Sequence, residues 1–167
     1  MPHLKKILVP IDGSPASIAA LSRALSLAED VGASVDVLHV DAPDQFEVGS
    51  ATSTATGARE QAAHNMEESI QAAKSRLGDR LSRRTASGDP VRQILDVAAE
   101  ENVDLIAIGT HGRIGRLHAL VGSVAEAVVR SAPCPVMTVR QADGEEESFA
   151  ERIHGRQPLA DQARPHR

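Results

Sequence analysis

Three glycines and a serine, Gly109, Gly112, Gly122 and Ser123, stand in the pattern G-x2-G-x9-G-S directly after the apolar run 104–108. Glycine lets a chain turn with positive φ and lets a ligand approach the backbone closely. Free N–H groups at the start of the helix that follows, with its dipole, then make an anion site. These residue types at this spacing point to phosphate binding, with the Ser123 hydroxyl available to a phosphate oxygen or a metal ion. The P-loop lysine is missing, so a phosphate site here would rest on backbone groups; the plainer reading is that these glycines only make turns. With glycine near 7% of residues, three at these offsets followed by Ser or Thr arise by chance in a chain this long roughly one time in a hundred. A second candidate follows the first apolar run, Pro10-Ile11-Asp12-Gly13-Ser14. Asp12 suits ribose hydroxyls or a magnesium ion; the plainer reading is that it caps the next turn.

Other reactive side chains point less clearly. His111 has the unperturbed pKa of an acid–base catalyst, about 6.5, but no paired carboxylate or nucleophile is identifiable beside it. Arg113 and Arg116 suit phosphate oxygens, or are simply solvated. His39 falls inside a strand, which favours packing over ligation, and the remaining histidines lack the spacing of a metal cluster. Cys134, the single cysteine, sits between two prolines and reads as a small buried hydrophobe.

The elements that must position these groups alternate in type. Residues 5–11 and 104–108 are short, nearly continuous apolar runs, as expected of strands buried on both faces. Residues 34–41 read as a second strand and 135–139 as a last one. Residues 80–87 are polar and suit a sheet edge. Ser14-Pro15 and Asp89-Pro90 each pair an N-cap with proline at the first helical position. Helices follow, with Ile18, Leu21, Leu25 and Ala28 inward in the first and Val91, Ile94, Leu95 and Ala98 in the third. The spacing predicts a helix over 58–77, with Ala63, Met66, Ile70, Ala73 and Leu77 on one stripe, and another after Ser123 with Val124, Ala125 and Val128 inward. Strand–helix alternation implies an α/β fold: an open, five-stranded, mainly parallel Rossmann-like sheet with helices on both faces. Ligands bind such sheets outside the carboxyl ends of the strands, where strand order reverses. If strands one and four are neighbours there, the two candidate loops face one crevice.

Composition narrows the classes further. The chain has 167 residues, 41% of them hydrophobic, with no Trp or Tyr and only two Phe. That excludes the aromatic platform of single-strand nucleic-acid binders. A net charge of -5 without a basic block argues against nucleic acid or an anionic membrane as partner. No apolar stretch approaches the roughly 20 residues of a membrane span, and no secretory signal is evident; the chain reads as cytoplasmic. One domain is expected over 1–140. Residues 42–57 form a long Pro/Gly/Ser/Thr-rich connection, read as mobile or functional. The tail 141–167, with six acidic and four basic residues and no apolar periodicity, reads as a disordered extension.

The segments KKILVPIDGS at 5–14, VDVLHV at 35–40, DLIAIGTHG at 104–112 and GSVAEAVVRSAPCPVMTV at 122–139 resemble the universal stress protein family over about residues 3–140. In that family the complete G-x2-G-x9-G-[S/T] pattern goes with ATP binding, and this chain fills every place. The resemblance implies that Pro10 and Asp12 line the ribose side of an ATP–Mg2+ site and that the backbone of Val40 meets adenine. Thr110, His111, Arg113 and Val124 would surround the phosphates with the motif residues. It also implies a homodimer built on the last strand. The residues point the same way, since 136–139 is an apolar, uncharged edge with unpaired peptide groups. The expected role is a nucleotide-linked, homodimeric regulator or sensor in stress response, read by an unidentified protein partner, rather than an enzyme. The rivals are a slow ATPase or phosphotransferase of the adenine nucleotide α-hydrolase type, and a nucleotide-free dimeric scaffold.

Overall fold

The structure, a computed structural model, describes residues 4–42, 53–110 and 123–140. The strands are β1 (Lys6–Pro10), β2 (Ser34–Asp41), β3 (Leu81–Ser87), β4 (Leu105–Gly109) and β5 (Val136–Val139). They form one sheet in the order β3-β2-β1-β4-β5, and every neighbouring pair runs parallel. The helices are α1 (Pro15–Val31), α2 (Ser53–Leu77), α3 (Pro90–Glu100) and α4 (Ser123–Ser131), with a 3₁₀ turn at Gly78–Arg80.

Side chains alternate across a strand, and here the alternation divides the core in two. Ile7 and Val9 of β1 with Val35 and Val37 of β2 meet Leu21, Leu25, Ile70 and Leu77 of α1 and α2. Leu8, Leu38, Ile106 and Ile108 meet Ile94 and Ala98 of α3 and Ala125 and Val128 of α4 on the other face. Strands covered on both sides must be apolar at consecutive positions, which is why Ile7-Leu8-Val9 is fully buried.

Both cap-plus-proline signals hold. The Ser14 hydroxyl accepts from the Ser17 N–H at 3.3 Å, and the Asp89 carboxylate accepts from the Arg92 N–H at 2.8 Å. Helix α1 ends at Gly32 in the left-handed conformation, φ 75°. Helix α2 corrects two expectations. It starts at Ser53 rather than 58, since the Ser/Thr/Ala run carries no breaker before Gly57. Its inward residue is Ala62, while Ala63 faces solvent. The residues 43–52 and the tail 141–167 lie outside the described residues.

The polar edge strand β3 is tied to the sheet by charge. Asp36 of β2 is buried, and it accepts from the Ser82 hydroxyl at 2.8 Å and from Arg84 Nε at 2.7 Å. Arg84 also reaches Glu101 at 2.8 Å, and Glu101 reaches Lys6 Nζ at 2.8 Å. One chain of contacts therefore joins β1, β2, β3 and the end of α3. Asp104 performs a similar role before β4, accepting from the N–H groups of Lys5 and Lys6 at 2.8 and 2.9 Å.

Removing one partner of a fully buried ion pair costs about 3–5 kcal/mol; because Arg84 is partly exposed, Arg84→Met is expected to cost about 2 kcal/mol in urea unfolding. The hydrogen bonds from Lys6 and then Arg84 hold the Glu101 carboxyl below its usual range. Those from the Lys5 and Lys6 backbone do the same for Asp104. Both groups have a lower pKa folded than unfolded, so their stabilisation is complete above the unfolded value, near 4. It is lost as pH falls through the folded values. The urea midpoint should stay level from pH 7 to 5 and drop below about 4, and Asp104→Asn should make that acid drop shallower.

Candidate nucleotide crevice

Strand β1 lies between β2 and β4, so the chain turns one way from it to β2 and the opposite way to reach β4 and β5. The ends of β1 and β4, from which the two expected loops leave, are thus neighbours at the reversal of strand order. A cavity of about 350 Å³ opens there, within the range of small-molecule sites.

The end of β1 exposes the cavity. The ladder between β1 and β2 closes with Ile11 N–H donating to the Leu38 carbonyl at 2.9 Å. The next rung would join the Ile11 carbonyl to Val40 N–H. Instead that carbonyl accepts from His39 Nδ1 at 2.9 Å; since a carbonyl only accepts, Nδ1 carries the hydrogen. Alternate residues of a strand present their peptides to the same neighbour. Val40, two residues beyond Leu38, therefore faces the crevice with its N–H and C=O where β1 has ended. His39 is a packed strand residue, as its position suggested.

The loop after β1 is held on two sides by glycine. Gly13 has φ 78°, and a Cβ there would collide with the Ala62 carbonyl of α2. A Cβ on Gly109 would lie 2.6 Å from the Ala16 carbonyl carbon and 2.7 Å from Ser17 N, so the first turn of α1 can touch the end of β4 only because Gly109 has none. Glycine at 109 thus serves packing as well as any ligand. Between these contacts, Asp12 Oδ1 accepts from Ser14 N–H at 3.0 Å. Asp12 therefore does cap the turn, while its half-buried side chain also lines the cavity.

Seven expected residues come together around the cavity: Pro10, Asp12, Val40, Gly109, Thr110, Ser123 and Val124. Thr110 is buried at the cavity wall, and its N–H donates to the Val139 carbonyl at 2.9 Å, which ties it to the end of β5. Ser123, the first residue of α4, is exposed at the rim. His111, Gly112, Arg113, Arg116 and Gly122 lie outside the described residues.

The sequence reading missed the wall formed by Pro90 and Ile94 of α3, and the floor given by Leu38 and Ile108. Asp89-Pro90 marked a helix start after β3, but nothing local says that this helix leans over β2. The cavity is consequently two-ended. Its β2/α3 end is aliphatic, and its β4 end carries the hydroxyls of Thr110 and Ser123 and the start of α4. Asp12 is the one ionisable side chain among its described lining residues. No group of three or more metal-ligating side chains occurs among the described residues, and none of their helices is long and apolar enough to cross a membrane. Cys134 is half-buried against the α3/α4-side core, and burial pushes its thiol pKa up, which keeps it protonated and unreactive.

Known proteins share this fold. The sequence profile of the universal stress protein family matches residues 3–140. Universal stress protein MJ0531 of Methanocaldococcus jannaschii is 33% identical over 144 residues, 82% of each chain. The solved structure of UspA from Lactobacillus plantarum superposes with a TM-score of 0.66 at 28% identity, over 84% of this chain and all of that one. A universal stress protein solved in complex with cAMP shares the fold, with a TM-score of 0.62 at 24% identity over 84% of this chain and 99% of its own. By a profile spanning every described element and by relatives matched along most of their length, this chain belongs to the universal stress protein family.

Proposed function

We propose that the protein binds ATP with Mg2+ in this crevice and acts as a nucleotide-linked regulator rather than as an enzyme. The observation that carries the reading is the two-ended cavity at the end of β1. An aliphatic slot flanked by the Val40 peptide suits a purine, whose edge offers both a donor and an acceptor. The opposite end, where a helix starts beside two hydroxyls, suits phosphate. Asp12 lies between them, in reach of a sugar. The glycine pattern completed by Gly112 and Gly122 supports the same ligand, as does the cAMP complex of a protein of this fold. For Mg2+, Asp12 and the Ser123 hydroxyl supply the hard oxygen donors that this ion accepts alongside phosphate. No general acid–base pair stands among the lining residues described, so the chemistry favoured is recognition. ATP acts as a signal only if it prefers one arrangement of the surrounding loops, and a cytoplasmic protein partner would read that arrangement.

Dimerisation belongs to the same proposal. Of the sheet's two edges, β3 carries Arg83 and Arg84, whereas β5 is Val136-Met137-Thr138-Val139 and bears no charge. An uncharged edge strand invites pairing with a second copy across a two-fold axis. Met137 packs against the α1-side core, while Thr138 is exposed, so Thr138 is where a charge disturbs pairing and not folding.

The reading is tested by denaturing the purified protein and identifying the released small molecules by mass spectrometry, where adenine nucleotide is expected and its absence, with no ATP binding by calorimetry, would overturn it. Ser123→Asp discriminates further. A carboxylate is welcome in the first turn of a helix, so the melting temperature should hold or rise, while in titration without Mg2+ repulsion of phosphate should weaken ATP about tenfold or more, some 1.4 kcal/mol. Thr138→Lys should turn a dimer into a monomer in light scattering with its fold intact; a wild-type monomer would remove the dimer from the reading.

A further inference from the structure

We infer that Pro90 and Ile94, in the first turns of α3, set the size of the base that the crevice accepts. The inference rests on the nucleotide reading and deepens it. On that reading the phosphates lie toward β4 and α4, where the hydroxyls and the helix start are, and the base toward the aliphatic end at β2 and α3. The base edge farthest from the sugar then meets the α3 wall. Nothing at that end can yield easily. Ile94 is 2% exposed and packs in one cluster with Leu38, Ile106, Ile108 and Val128, so moving it opens the core. Being β-branched in a helix, it has one strongly preferred rotamer. Helix α3 is itself pinned at both ends. The Asp89 cap and the fixed φ of Pro90 hold its start, and Glu101, bonded to Lys6 and Arg84, holds the residue just past its end. The ion network at the opposite end of the sheet therefore positions a wall of the crevice.

Calorimetric titration of the full chain with ATP, N6-benzyl-ATP and an ATP analogue enlarged at the ribose tests this. Wild type should bind ATP and discriminate against N6-benzyl-ATP by about 30-fold or more, the scale of steric rejection in an aliphatic pocket. Ile94→Ala should narrow that ratio about tenfold, and Ile94→Val by less. Neither should change the ratio for the ribose-enlarged probe, which a merely loosened fold would change along with the other. Should Ile94→Ala unfold, Ile94→Val and Pro90→Ala carry the test, since Pro90 lies outside both core clusters. Folded variants that bind ATP with an unaltered N6-benzyl ratio overturn the size filter and leave the nucleotide reading standing, as does a wild type that accepts N6-benzyl-ATP as well as ATP. A folded wild type that binds no ATP overturns both.

Discussion

A five-residue strand, β1, pairs on both sides and then stops at Pro10, and the crevice exists because its neighbours run on past it. Backbone hydrogen bonding obliges every buried peptide to find a partner. Where β1 ends, the last rung goes to Leu38, the Ile11 carbonyl turns to His39, and the Val40 peptide is left toward open space. A crevice with a main-chain donor and acceptor on its wall arises from the termination of a ladder. In a chain without Trp or Tyr, the walls of such a crevice are aliphatic side chains and main chain.

The same termination requires its loop to be held closely, and the two glycines do this by absence. At Gly109 and Gly13 the missing Cβ lets α1 meet β4 and lets α2 meet the Asp12 turn. The crevice end of the sheet is therefore organised by close backbone contact. The opposite end is organised by charge, through Asp104 at the start of β4 and the contacts linking Asp36, Arg84, Glu101 and Lys6. A buried ion pair adds little net stability compared with a packed apolar pair, but its directionality fixes the register of a polar edge strand that has no apolar alternation to fix it.

Much of this was present in the chain as local pattern. Consecutive burial on both faces demanded runs such as Ile7-Leu8-Val9, and hydroxyl or carboxylate caps before Pro15 and Pro90 announced two helices. Gly109 and Asp12 marked the two strand ends that meet at the crevice. Where the local signal was weak, the reading slipped: the beginning of α2 moved to Ser53, and Ala62 rather than Ala63 turned inward, because a run of small residues gives little periodicity to read.

The sequence alone thus determined the elements, their parallel alternation and the residue types that suit a nucleotide, since these follow from spacing within about twenty residues. Only the tertiary structure decided that β1 is central, that Pro90 and Ile94 wall the site, that Gly109 answers to the backbone of α1, and that Asp36 is closed by Ser82 and Arg84. Those outcomes join residues dozens of positions apart. They depend on which strand edges pair and which helix crosses which strand, choices made by global packing that leave no periodic trace in the chain.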